Sequence, residues 1–405
     1  MQMSLRLLFS FLSAALVSLS TYAQIPVEKA GPTVLGDHAG KGWFWVGGNR
    51  APSQIDGRFF LFDEQGKMLG QLNNGFWPNS ILTAKQGDDI YAAETYFARG
   101  VRGERTDVMT VYDGKTLLAK REVRLPPKRA TILSSTGLET LSDDGRFMLV
   151  FNYTPAQSLS VVDVANNRFI TEIETPGCAS MYPAGNRDFY LICGDGGLLH
   201  VRLGDNGQPT LKERVAPLFD PINDFLITAA SRNGNLWYFI SRQQNVYALE
   251  LTPSGAKVTA KWSLLTDGER KKDWRYSGVQ TTALHRASNR FYVLMHEGEE
   301  KTSQEPGTEV WVYDLKTQKK INTIAMDEQT LSIAVSQAET PQLYTIDFIV
   351  PMPFLAMIWV YLTEGQDGIF RVMQQAVSIY DTGNGKRLQH VRGLPAGYLN
   401  TIVPW

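Results

Sequence analysis

The chain has 405 residues, with 40 Lys plus Arg against 41 Asp plus Glu, so it lacks the basic excess that gathers nucleic acid or anionic lipid. Hydrophobic residues make up 43% and charged residues 20%, enough apolar side chain for a large folded core. The balance points to a globular protein and away from nucleic-acid binding.

The chain begins "MQMSLRLLFSFLSAALVSLSTYAQ", where Arg6 precedes an apolar run that ends in small residues. This pattern reads as a secretory signal peptide over residues 1–23 with cleavage after Ala23, and it implies an exported protein. An uncleaved anchor is the alternative, although the run is short for a bilayer. The mature chain, 24–405, is expected to be a single domain.

The next conspicuous stretch is "NNGFWPNS" from Asn73, in which Phe76 and Trp77 lie among turn-forming residues. Two aromatics in such a loop either fill a gap in the core or project toward a ligand or partner. Close behind it, Arg99, Arg102, Glu104, Arg105 and Asp107 form a polar stretch that is either a solvated hairpin loop or a subunit contact, where Arg is favoured over Lys.

From Arg58 onward one form recurs seven times: an alternating apolar strand, a polar turn, and a second strand. Examples are "RFFLFDEQGKMLGQL" from Arg58, "VMTVYDGKTLLAKREV" from Val108 and "VSIYDTGNGKRLQHVRG" from Val377. Repetition at intervals of roughly 40–65 residues, with about four short strands per unit, predicts an all-β, seven-bladed β-propeller, with six or eight blades as the error range. The aspartates that open several of these turns are expected to accept backbone N–H groups within the turn, a structural role.

Cys178 and Cys193, the only two cysteines, are expected to form a disulfide in an exported chain; free thiols or metal ligands are the competing reading. The charged stretch "LLTDGERKKDW" from Leu264 is the one helical candidate beyond the signal peptide. The apolar run "FIVPMPFLAMIWVYL" from Phe348 is too short to span a bilayer as a helix, and Pro351 and Pro353 break its first turns. Buried strands or an apolar insertion against a partner are the two readings for it.

No motif supplies chemistry. There is no G-x-S-x-G elbow, no metal spacing among His38, His200, His285, His296 and His390, and "CGDGGLL" at Cys193 lacks the dinucleotide-binding glycine pattern. The residues alone describe an exported propeller that binds something.

Several long strings in order resemble the heavy subunit of the quinoprotein amine dehydrogenases, the methylamine and aromatic amine dehydrogenase family. They include "ETYFARGVRGERTDVMTVYD" from Glu94, "LPPKR" from Leu125, "SVVDVANNRF" from Ser160, "ALHRASNRFYVLMHE" from Ala283 and "EVWVYDLKTQKK" from Glu309. The resemblance implies a periplasmic complex of two heavy and two light chains. The small, disulfide-rich light subunit would carry tryptophan tryptophylquinone and the catalytic base, leaving no catalytic residue, cofactor or metal on this chain. A primary amine would be oxidised to an aldehyde and ammonia, with electrons passing to a blue copper protein of the amicyanin or azurin kind.

By the same resemblance, Cys178 and Cys193 match the heavy-chain disulfide. Phe76 takes the place of the phenylalanine that lines the substrate channel in the methylamine branch, with Trp77 beside it. "LPPKR" and "ICGDGGLL" look more like the aromatic-amine branch, so the amine stays open. An exported propeller scaffold without redox activity is the reading from a different class.

Overall fold

The computed structural model describes residues 34–49, 57–76, 80–130, 137–394 and 398–405. The proposed signal peptide, Trp77 and the rest of residues 77–79 lie outside the described residues. Leu35–Trp405 forms one compact unit.

Its strands arise where apolar and β-branched residues run between turn residues, and in the middle strands of each sheet both faces are apolar. Gly57–Phe62 and Phe147–Asn152 are buried almost throughout, because each sheet is covered on both faces by its neighbours. The outermost strands, such as Ala119–Leu125 and Pro209–Val215, are lysine- and arginine-rich and largely exposed, which protects the free edge.

The all-β expectation is met, but the expectation of seven separate blades is not. Among the described residues, five four-stranded sheets form as blades, and the remaining strands make one continuous eight-stranded sheet. The physical reason is the 17-residue strand Lys319–Val335, which runs unbroken through two repeats. Its first part pairs with Gly307–Asp314 and its second with Gln342–Ile349, so the last two hairpins share one sheet. The strand Tyr398–Pro404 pairs with Phe44–Asn49, joining the C-terminal end of the chain to its first described strand. Inner strands of successive sheets touch, as Leu82–Thr83 does Glu139–Leu141 and Glu139–Leu141 does Cys178–Pro183, so the sheets radiate from a common axis.

The repeated turns behave as their sequences imply. Asp113 Oδ1 accepts the N–H groups of Lys115 and Thr116, and Asp314 and Asp381 do the same within their own turns. Leu117 and Gln318 take positive φ values of 58°, and a register shift follows in each hairpin, the mark of a bulged turn.

The helical candidate after Leu264 forms a short helix, Asp267–Arg270, capped by Thr266 and Glu269. The apolar run after Phe348 does not form the buried strands that were one of its two readings. Phe348 and Ile349 end a strand, and a helix runs over Phe354–Val372 with a break at Gly365. Pro353 stands at the helix N-cap, outside the turns it would break, and a uniformly apolar run shows no helical period to read. Among the described residues, no helix is long and apolar enough to cross a membrane.

Candidate functional site

Alternate connections of an antiparallel sheet emerge on one side. Phe76, the loop between Phe97 and Arg105, the Cys178–Cys193 pair and the helix Phe354–Val372 therefore all leave the sheets at the same end. At that end the inner strands surround a cavity of about 660 Å³, with Ser80, Arg129, Glu139, Phe151, Tyr276 and Tyr398 on its wall.

Phe76 follows the outer strand Met68–Asn74 and crosses to the next sheet. Gly75 lies so close to Ile90–Phe97 that an added Cβ would meet the Thr95 carbonyl oxygen at 2.7 Å, so only glycine fits without a shift. The Gly75 N–H donates to Glu94 Oε1 (3.1 Å) and the Phe76 N–H donates to the Thr95 carbonyl (2.9 Å). The Phe76 ring is half-buried and meets Phe97 edge-on, with centroids 5.6 Å apart.

Glu94 is buried and also accepts the hydroxyls of Thr110 and Tyr112. Burial raises its pKa, opposed by these donors. The same position recurs around the ring: Asn152 donates to Ser158 and Ser160, and Asp347 accepts from Ser378.

Beneath Phe76 stands Arg129, buried at the edge of the cavity. Its Nη2 donates to the Phe76 carbonyl (2.9 Å) and its Nε to Thr95 Oγ1 (3.0 Å). Asp107 accepts the Arg129 backbone N–H (2.9 Å). Nη1 stands 3.7 Å from Glu139 Oε1, in a pair whose side chains are each only 4% exposed. Glu139 in turn accepts the Ser80 hydroxyl (2.6 Å) and the Ala93 N–H (3.4 Å). Burial pushes the Glu139 carboxyl up to about 7, with the Arg129 guanidinium opposing the shift.

The polar stretch at Arg99 divides. Arg99, Arg102 and Glu104 are exposed on the hairpin loop, whereas Arg105 turns inward and donates twice to the buried Asp107, at 2.8 Å each. Cys178 and Cys193 are directly opposite in register and form the disulfide, their Cα atoms 4.0 Å apart. Closing that loop contributes on the order of 3 kcal/mol.

Sequence reasoning passed over Arg129, Glu139 and Glu94 as site residues. Glu94 carried a signal, an acid inside an otherwise apolar strand, and Arg129 stood in the quoted "LPPKR". Among the described residues no group of three or more His, Cys, Asp or Glu gathers as a metal site.

Fold and site together define a β-propeller that carries its aromatic loop, charged loop and cavity at one end. A Myceliophteria thermophila β-propeller domain superposes with a TM-score of 0.52 at 11% identity, covering 79% of this chain and 94% of that one. The dihydro-haem d1 dehydrogenase NirN superposes at 0.51 with 17% identity, covering 94% and 78%. At such identities these likenesses speak for the fold alone.

The profile of the methylamine dehydrogenase heavy chain matches residues 52–350, and the chain belongs to that family. It is 29% identical over 347 residues to the heavy chain of Paracoccus versutus, covering 85% of this chain and 75% of that one. With the Methylorubrum extorquens heavy chain the identity is 27%, over 84% and 77%. The heavy chain of Methylophilus methylotrophus is 28% identical, over 69% of each. Membership in this oxidoreductase family implies a light-chain partner. The helix Phe354–Val372 lies just beyond the matched residues.

Proposed function

We propose that this chain is the heavy subunit of a periplasmic amine dehydrogenase, and that it shapes the path by which a primary amine reaches tryptophan tryptophylquinone on the light subunit. That quinone supplies the electron sink for converting the amine to aldehyde and ammonia. The heavy chain supplies a rigid frame, excludes water and limits which amines pass. Electrons leave to a blue copper protein. The relatives are named for methylamine, which makes methylamine the first substrate to test and an aralkylamine the second.

One observation carries the channel role. Phe76 is a half-buried aromatic whose backbone is tied on both sides, by its N–H to Thr95 and by its carbonyl to Arg129, at the end where the cavity opens. A ring on so firm a base can form a wall against a partner's active group. Arg99, Arg102 and Glu104 stand exposed on a loop at the same end and suit the polar rim of a subunit contact.

Phe76→Ala, purified with its light subunit, is the test. The ratio of kcat/KM for methylamine to that for longer or aromatic amines is expected to change by about tenfold, the scale of a lost apolar contact, with assembly intact. Unchanged selectivity together with lost assembly would return Phe76 to a packing role.

A further inference from the structure

Phe76 and Ser80, on either side of residues 77–79, are each bonded to one member of a buried ion pair. On the incoming side Arg129 Nη2 donates to the Phe76 carbonyl, and on the outgoing side Glu139 Oε2 accepts the Ser80 hydroxyl. The two side chains are themselves 3.7 Å apart and almost wholly buried. We infer that Arg129 and Glu139 form a clasp across the Phe76 loop, and that these two positioning residues set amine selectivity by fixing where the Phe76 ring stands.

Several features favour this over a general stabilising role. A buried ion pair is a poor source of net stability, because desolvation offsets most of the attraction, so its geometry calls for another reason. Each partner spends a hydrogen bond on the loop rather than on its own strand. Arg129 is also aimed: Asp107 takes its backbone N–H, Thr95 takes Nε, and the Arg105 Nη2 donates to its carbonyl (2.7 Å). The planar guanidinium can serve Thr95, Phe76 and Glu139 at once, which a lysine ammonium on a flexible stem cannot reproduce. Arg129, Glu139 and Ser80 themselves line the cavity, so the clasp stands at its wall.

This inference rests on the reading of Phe76 as a channel wall, and the experiment separates the two. Arg129→Lys keeps the charge beside Glu139 and removes the fork, and Glu139→Gln keeps an acceptor for Ser80 and removes the charge. Both are made in the heavy chain co-expressed with its light subunit, alone and combined with Phe76→Ala. Hydrogen exchange at the Phe76 amide reports the clasp without reference to substrate. Arg129→Lys is expected to speed it by at least about tenfold while strands remote from the loop keep their protection.

In kinetics, Arg129→Lys is expected to shift the methylamine-to-aralkylamine ratio in the direction of Phe76→Ala, and the double variant to go no further than Phe76→Ala alone. Unchanged exchange at the Phe76 amide overturns the clasp. Additive effects on selectivity overturn its action through Phe76. Faster exchange with selectivity unmoved in every variant, Phe76→Ala included, overturns the channel reading and with it the link to selectivity, and leaves a clasp without that function.

Discussion

Two buried acid centres, one beside Phe76 and one in the eight-stranded sheet, are satisfied by different partners. Near Phe76, the carboxylates Glu139 and Asp107 are met by guanidinium groups, from Arg129 and Arg105. In the eight-stranded sheet, Asp347 has hydroxyl donors instead, at Thr330 (2.7 Å), Thr345 (2.9 Å) and Ser378 (2.6 Å). Burial pushes Asp347 up to about 6 and Glu139 up to about 7. The difference lies in what each centre holds. Glu139 and Arg129 reach across to a loop, whereas Asp347 ties together strands of its own sheet. A protonated Asp347 loses little to its hydroxyl partners, whereas Glu139 weakens its hold on Arg129 as it takes up a proton below about 7.

Removing the cation should have the largest effect. Arg129→Met leaves Glu139 buried without its partner, and the expected loss of stability is on the order of 3 kcal/mol at pH 8. The loss should be smaller at pH 5, where Glu139 takes up a proton. Urea unfolding at the two pH values checks it, and an equal cost at both would show that Glu139 is not the group left exposed to the change.

Asp347→Asn should behave oppositely. Between the ordinary carboxylate value of 3.8 and the folded value of about 6, the folded chain holds a proton that the unfolded chain has released. The stability this supplies is present in full below the unfolded value and is lost as pH rises through about 6. Wild type should therefore lose stability between pH 4 and pH 8, and Asp347→Asn should remove on the order of 3 kcal/mol of that dependence. Thermal unfolding across this range reads the slope directly, and a slope identical to wild type would contradict the assignment.

Much of the architecture was legible because turn chemistry is local. Asp113, Asp314 and Asp381 accept their own turn N–H groups wherever the sequence writes Tyr-Asp, and the cysteine pair meets across one ladder step. Sheet continuity was not legible, since nothing inside Lys319–Val335 announces that one strand will serve two hairpins. Nor was the helix Phe354–Val372, whose apolar residues face every direction; Leu355, Trp359 and Leu362 stay 78%, 69% and 74% exposed. The site was half legible. Phe76 stood out as an aromatic among turn residues, but Arg129 and Glu139 acquire their meaning only once strands distant in sequence bring Ser80 and Phe76 to them.

Whether this chain acts as the heavy half of an amine dehydrogenase is decided by purifying the exported complex and titrating it with methylamine. A small disulfide-rich chain is expected to co-purify and to carry a visible quinone chromophore, bleached stoichiometrically by the amine. A heavy chain that purifies alone, colourless and unresponsive to both methylamine and tyramine, would contradict it.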